Sequence, residues 1–183
     1  MSKSYNTQND LLLENILEWY NTTNNLQVML NIINGESKIS LRIVDWFATN
    51  YAKKHFTNYI ITKNNSNERF KVYDDYKLKL KAYSKKRFDP FCRWDRINIP
   101  YKNGKYIQTT IGQLNFFKWA LENNIINYIE NNYEKIEKDM NDRNSNSNKN
   151  KSKEHKRKKR EELSVSASKS IKKEEIEIIV SFD

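Results

Sequence analysis

The sequence predicts an α+β protein: a mostly helical single domain with one or two β-hairpins, followed by a disordered basic tail that ends in a short strand-like motif. Three observations carry this. Apolar residues recur at helical spacing from Ile111 to Met140. Two turn-forming stretches, KNNSNER at 63–69 and the pair Asn103-Gly104, each lie between short β-prone runs. After Asp142 the composition changes to RNSNSNKNKSKEHKRKKREE, with too few apolar side chains to offset chain entropy. The expected organisation is a flexible N-terminus (1–8), a globular domain (9–140), a disordered basic linker (141–170) and an acidic-hydrophobic docking motif (171–183).

Each element has a local reason. Asn9 or Asp10 can cap a helix carrying Leu11, Leu12, Leu13, Ile16, Leu17, Trp19 and Tyr20. Leu26 to Ile33 reads as a second, closed by Asn34-Gly35. Ser40 should cap a third, LRIVDWFATNYAKK, whose Lys53-Lys54 sit at the negative end of its dipole. A hairpin follows, from Tyr59-Ile60-Ile61 to Phe70-Lys71-Val72-Tyr73. Residues 76–87 alternate as a strand would, yet acids Asp74-Asp75 before them and cations at their end suit a helix, which we choose. Asp89 before Pro90 predicts a short helix carrying Phe91, Cys92 and Trp94. Pro100 cannot donate to a ladder, so its strand belongs at an edge. A Thr110/Gln113 capping box opens the last helix, with Asn123-Asn124 and Asn131-Asn132 as its potential breaks.

Composition narrows the chemistry. Three glycines are too few for a phosphate cradle of the P-loop or dinucleotide type. One cysteine (Cys92) and two histidines (His55, His155) cannot assemble a disulfide framework or a Cys/His zinc site within one chain. No cofactor and no metal is expected. No apolar run reaches the roughly 18 to 20 residues of a membrane span, and the first residues lack the apolar middle of a secretion signal. The expectation is a soluble, intracellular protein with no membrane partner.

Charge is concentrated. From Arg69 to Arg96 ten basic residues face four acids, a net +6, which equals the net charge of the whole of residues 1–140. Three runs in and around this region, ISLRIVDWFATNYAKK (39–54), YKLKLKAYSKKRFDPFCRWDRI (76–97) and TTIGQLNFFKWALENN (109–124), together resemble an uncharacterised family encoded by nucleocytoplasmic large DNA viruses, the mimivirus-like giants especially. The resemblance covers roughly residues 30–140. It implies a viral protein acting in an infected cell, in the cytoplasmic viral factory or the virion, and supplies no mechanism; the host nucleus enters only through the basic tail.

The charge pattern points to DNA or RNA as partner, bound through phosphates with little sequence specificity, in viral genome replication, transcription or packaging. Lysines and arginines that neutralise phosphates release counterions. The expected contacts are Lys77, Lys81, Lys85, Lys86, Arg87, Arg93 and Arg96, together with Lys156, Arg157, Lys158, Lys159 and Arg160 of the tail. That tail cluster lies in a stretch, 145–160, with eight basic side chains and one acid, and also reads as a nuclear-localisation signal. Tyr76, Tyr83, Phe88, Phe91 and Trp94 offer stacking faces to single-stranded bases or, on the alternative reading, fill the core.

Two other classes compete. A virion or scaffold protein would be recruited through the tail, where Ile176, Ile178, Val180 and Phe182 alternate as in a strand that docks on a sheet edge of another viral protein or of this domain. A metal-dependent nuclease would use Asp74-Asp75 with Lys77 or Lys79, and a thiol enzyme Cys92 with His55, against helix capping and core packing as the plain explanations. We expect no catalytic residues.

Overall fold

The computed structural model describes residues 7–22, 25–63, 65–101, 104–151 and 173–174, with side chains described through Arg143. The elements in order are α1 (Gln8–Thr22), α2 (Asn25–Ile33), α3 (Leu41–Trp46), a π-helical turn (Phe47–Tyr51), α4 (Ala52–Lys54), β1 (Asn58–Lys63), β2 (Ser66–Lys71), α5 (Val72–Arg87), β3 (Arg96–Pro100), β4 (Tyr106–Thr110), α6 (Ile111–Glu122), α7 (Ile125–Asn131), α8 (Tyr133–Lys151) and β5 (Lys173–Glu174). The fold is therefore mostly helical with two small antiparallel hairpins, as the sequence predicts.

Helix α6 is the centre. Its residues Gly112 to Phe117, Trp119 and Ala120 are all buried, and α1, α2, α5 and α7 pack on it. A helix apolar around most of its circumference must be surrounded to be stable. Leu114, Phe116 and Phe117 have no exposure, and each such side chain contributes about 1.5–3 kcal/mol by leaving water. Several polar groups buried with them are partnered, whereas the Asn123 side-chain oxygen after α6 has no partner among the described residues. Tyr20 Oη donates to the Leu114 carbonyl at 2.9 Å, Thr109 Oγ1 donates to Gln113 Oε1 at 2.9 Å, and Asn115 Nδ2 donates to the Arg87 carbonyl at 2.9 Å.

Two of the expected caps form, but α1 opens earlier than Asn9 or Asp10 would have it: Thr7 Oγ1 accepts from the Asp10 amide at 3.3 Å, and Asn9 and Asp10 lie inside the helix. Ser40 Oγ accepts from the Ile43 amide at 3.3 Å, and Thr110 Oγ1 accepts from the Gln113 amide at 3.1 Å. Among the described residues the reciprocal arm of the box is absent: Gln113 Oε1, which would accept from the Thr110 amide, accepts from Thr109 Oγ1, and Gln113 Nε2 donates to the Pro90 carbonyl at 2.9 Å. Gly35 turns at φ +74 after α2. The final apolar stripe is cut at both asparagine pairs, by Asn124 in the left-handed region at φ 56 and by Asn132, whose Nδ2 donates to the Tyr128 carbonyl at 3.0 Å.

Three features differ from the sequence reading. Residues 41–54 open into a π turn rather than one α-helix. Thr49 Oγ1 donates to the Asp45 carbonyl at 2.7 Å, and the Ala52 amide reaches back five residues to the Phe47 carbonyl; side-chain competition of this kind loosens the α ladder. Val72 and Tyr73, assigned to a strand, begin α5. No helix forms at Pro90. Asp89 instead makes an Asx turn to the Phe91 amide at 3.1 Å and a two-pronged ion pair with Arg93 at 2.8 Å. With the Pro90 carbonyl held by Gln113, its acceptor serves the core instead of a helix.

β1 and β2 pair from Asn58↔Lys71 to Lys63↔Ser66. β3 and β4 pair from Arg96↔Thr110 to Pro100↔Tyr106, and β5 pairs with β4 through Tyr106↔Glu174 and Ile107↔Lys173. In that order β3 is an edge strand, which places Pro100 where a missing donor costs nothing. Helix α8 crosses the expected domain boundary at 140 and runs to Lys151. It is tied down by Asp139, which accepts from Trp46 Nε1 at 3.0 Å and from Lys54 Nζ.

Candidate nucleic-acid interface

Helix α5 sorts its residues by side. Tyr76, Lys79, Leu80 and Tyr83 face inward and are half-buried, while Lys77, Leu78, Lys81 and Ala82 face solvent. This follows from the three-to-four-residue spacing of neighbours on a helix face. The inward rings join an aromatic cluster: Phe88 lies 5.9 Å from Tyr76, 6.4 Å from Tyr83 and 5.4 Å from Trp119 between ring centroids. Burial holds the Tyr76 hydroxyl up at about 12, with the carboxylates of Asp45 and Asp89 adding to it. Tyr76, Tyr83 and Phe88 are thus core residues and not stacking faces. Trp94, 44% exposed, remains at the surface.

The cationic face is redirected once. Ser84 takes φ 58 and ψ 170 inside the helix, so Lys85, Lys86 and Arg87 form a displaced last turn beyond the Lys77–Lys81 row. Lys86 pairs with Asp95 at 3.1 Å, with both side chains largely exposed; such a pair contributes little and is readily exchanged. Arg87 is half-buried. Arg96 donates to Gln108 Oε1 at 3.0 Å. Arg93 stands 4.9 Å over the Phe91 ring and is held to the buried Asp89. Hydrogen bonds to that carboxylate keep its guanidinium firmly charged against the opposing effect of burial, but the charge is already balanced.

The structure also brings in a lysine that sequence reading assigns only to a helix dipole. Lys53 Nζ on α4 lies 5.7 Å from the Tyr73 ring centroid and Lys77 Nζ on α5 lies 5.8 Å from the same centroid. One ring therefore holds two ammonium groups from two helices, each by a cation–π contact. The exposed cationic surface runs from Lys53 through Lys77 and Lys81. Lys79 lies on the other flank of α5, in an open cleft of ≈ 460 Å³ shared with Lys118 and Glu122.

Some of the residues weighed for catalysis have structural duties. Asp75 Oδ1 accepts from Trp119 Nε1 at 2.6 Å. Among the described residues, no group of three or more His, Cys, Asp or Glu is placed to share a metal ion. Burial pushes the Cys92 thiol up, away from the reactive thiolate. His55 packs against the Tyr51 ring at 4.3 Å and faces Asp139 at 3.6 Å. Among the described residues, no helix is long and apolar enough to cross a membrane. Lys156, Arg157, Lys158, Lys159 and Arg160, and the docking residues Ile176, Ile178, Val180 and Phe182, lie outside the described residues.

Comparison with known proteins points to one kind of source. A family of unknown function (DUF7197) matches residues 2–183. An uncharacterized protein, L507, of Acanthamoeba polyphaga mimivirus is 50% identical over 117 residues, which cover 61% of this chain and 45% of that protein. The chain thus spans less than half the length of this relative. No solved structure matches it.

Proposed function

We propose that this chain, which belongs to the DUF7197 family of unknown function, is a non-enzymatic viral protein that binds DNA or RNA through phosphate contacts with little base preference. Its place would be in replication, transcription or packaging of the genome. The observation that supports it is the exposed row of Lys77 and Lys81 on α5, continued onto α4 by Lys53 across the shared Tyr73 ring. Cations held on fixed elements and, among the described residues, not paired with a carboxylate suit a polyphosphate backbone.

The test is salt dependence. Affinity of the full chain for an oligonucleotide should fall steeply between about 50 and 200 mM salt, because each phosphate contact releases counterions. Changing Lys53, Lys77 and Lys81 together to Gln should reduce the slope of log K against log salt by roughly 2 to 3, at about 0.9 per lost contact on duplex DNA. An unchanged slope and affinity would move the site elsewhere.

A second reading, a virion or scaffold protein recruited through its C-terminus, is favoured by one observation. Lys173–Glu174 adds a strand to the β4 edge, so this segment of the tail is able to pair with a sheet. Main-chain pairing of this kind serves a partner's sheet equally well.

A further inference from the structure

Where α4 meets β1, the chain closes in a way that asks for glycine. The Thr57 amide donates to the Ala52 carbonyl at 3.1 Å, five residues back, and Phe56, the middle of the three residues between helix and strand, takes φ 48. This is the Schellman arrangement, whose left-handed position is usually Gly and sometimes Asn because a β-carbon is strained there. Asn58 Nδ2 donates to the Phe56 carbonyl at 2.9 Å and fixes the turn. The phenyl ring gives nothing back to the fold. At 84% exposure it is the most exposed of the large apolar side chains described.

Basic residues flank it in the chain and across the hairpin, while Lys54 and His55, directly before it, face the carboxylate of Asp139. Lys53 lies three residues before it. On the outward face of the β1–β2 hairpin the cross-strand pairs are Asn58↔Lys71, Ile60↔Arg69 and Thr62↔Asn67, with no carboxylate among them and Ile60 67% exposed. A strained, solvated aromatic ring in a segment preceded by Lys53 and followed by a strand paired with Lys71 and Arg69 suits a ligand that combines a flat π-face with a phosphodiester. An unpaired base of a single strand has both, whereas a duplex keeps its bases stacked on one another.

We propose that Phe56 is a stacking residue for an unpaired base, which makes single-stranded nucleic acid the preferred ligand of this protein. The assignment rests on the phosphate-binding reading above. Stacking is indifferent to base identity and adds affinity without adding a charge contact.

The test uses the full chain with (dT)12 and (U)12 against a 12-base-pair duplex, at two salt concentrations. Phe56→Gly should melt at or above the wild-type temperature, since it relieves the turn, and yet bind both single strands about 5- to 150-fold more weakly, the range for one lost base stack. Phe56→Leu should lose as much, Phe56→Trp should keep the affinity, and the salt slope should stay the same in all three. Duplex affinity should not move. If the wild type binds (dT)12 with steep salt dependence and Phe56→Gly binds it equally well, the phosphate interface stands and the role of Phe56 falls. If the wild type binds no oligonucleotide, the phosphate reading falls first. If Phe56→Leu keeps the affinity that Phe56→Gly loses, the ring is an apolar contact for something other than a base, and the stacking assignment is overturned.

Discussion

Trp119 Nε1 donates to Asp75 Oδ1 at 2.6 Å, across the packed interface between the central helix α6 and the first turn of the basic helix α5. The indole is 3% exposed, so its N–H depends on this carboxylate for its partner. Asp75→Ala should cost about 1–3 kcal/mol, the penalty for leaving a buried donor unsatisfied. Asp75→Asn, which keeps an acceptor oxygen, should cost less. Urea denaturation of both variants checks this. Equal stability of Asp75→Ala and the wild type would show that the bond contributes nothing, and would return Asp75 to the pool of residues able to do chemistry.

Gly112 sets how closely those two helices approach at their other end. A β-carbon there would lie 3.1 Å from the Lys86 carbonyl oxygen, 3.3 Å from the Phe88 nitrogen and 3.4 Å from the Arg87 carbonyl carbon, all backbone atoms that cannot swing aside. The Asp89 amide also donates to the Gly112 carbonyl at 3.2 Å. Gly112→Ala should therefore destabilise the protein by roughly 1–3 kcal/mol, as overpacking does. A stabilised variant would mean that α5 can shift outward, since Ala otherwise improves a helix interior.

What could be read from the residues alone was whatever chemistry settles within a few positions. Ser40, Gly35 and Thr110 act through groups two to four residues away, and the lysine face of α5 follows from helical spacing. Asp89 fails as a cap for a distant reason: Gln113, 23 residues on from Pro90, takes the Pro90 carbonyl, and Arg93 takes both carboxylate oxygens. Tyr76 and Tyr83 look like surface aromatics among lysines until α6 covers them. Lys53 joins the interface only because folding lays Tyr73 beside it. Phe56 left one trace in the sequence: an aromatic directly after Lys53-Lys54-His55, at a helix end with no Gly or Asn to close it. That trace becomes legible only once the turn is known to be left-handed.

The β4 edge carries a prediction about the tail. Glu174 pairs with Tyr106 two residues from Gln108, the partner of Arg96, so one acidic residue of the tail is brought toward Arg96. Ending the chain at Ser170 should tighten oligonucleotide binding, by removing a competing negative charge. Weaker binding by the shortened chain, measured by fluorescence anisotropy at low salt, would refute that competition.

The last prediction concerns pH and a single carboxyl. Asp45, half-buried on α3, has its pKa raised from 3.8 to about 6, first by burial and then by the neighbouring Asp89, with Arg93 and Lys85 opposing. The folded state therefore prefers the neutral acid. Its contribution to stability is fully present below pH 3.8 and is lost as pH rises through about 6. Above that, holding the ionised carboxylate in place costs about 3 kcal/mol, at about 1.4 kcal/mol for each tenfold weakening of the acid. Asp139 works in the opposite sense: burial raises it, but the bonds from Lys54 and Trp46 and the Lys54 charge outweigh that and lower it, so its contribution is lost as pH falls. Substituting Asp45 alone separates the two. Asp45→Asn mimics the neutral acid at every pH, so it should match the wild type near pH 3.5 and exceed it in stability at pH 7.5. Denaturation midpoints at the two pH values decide it: an equal effect at both would mean that Asp45 is ionised without penalty in the fold, and a loss at pH 7.5 would mean that its negative charge is needed by Arg93 or Lys85.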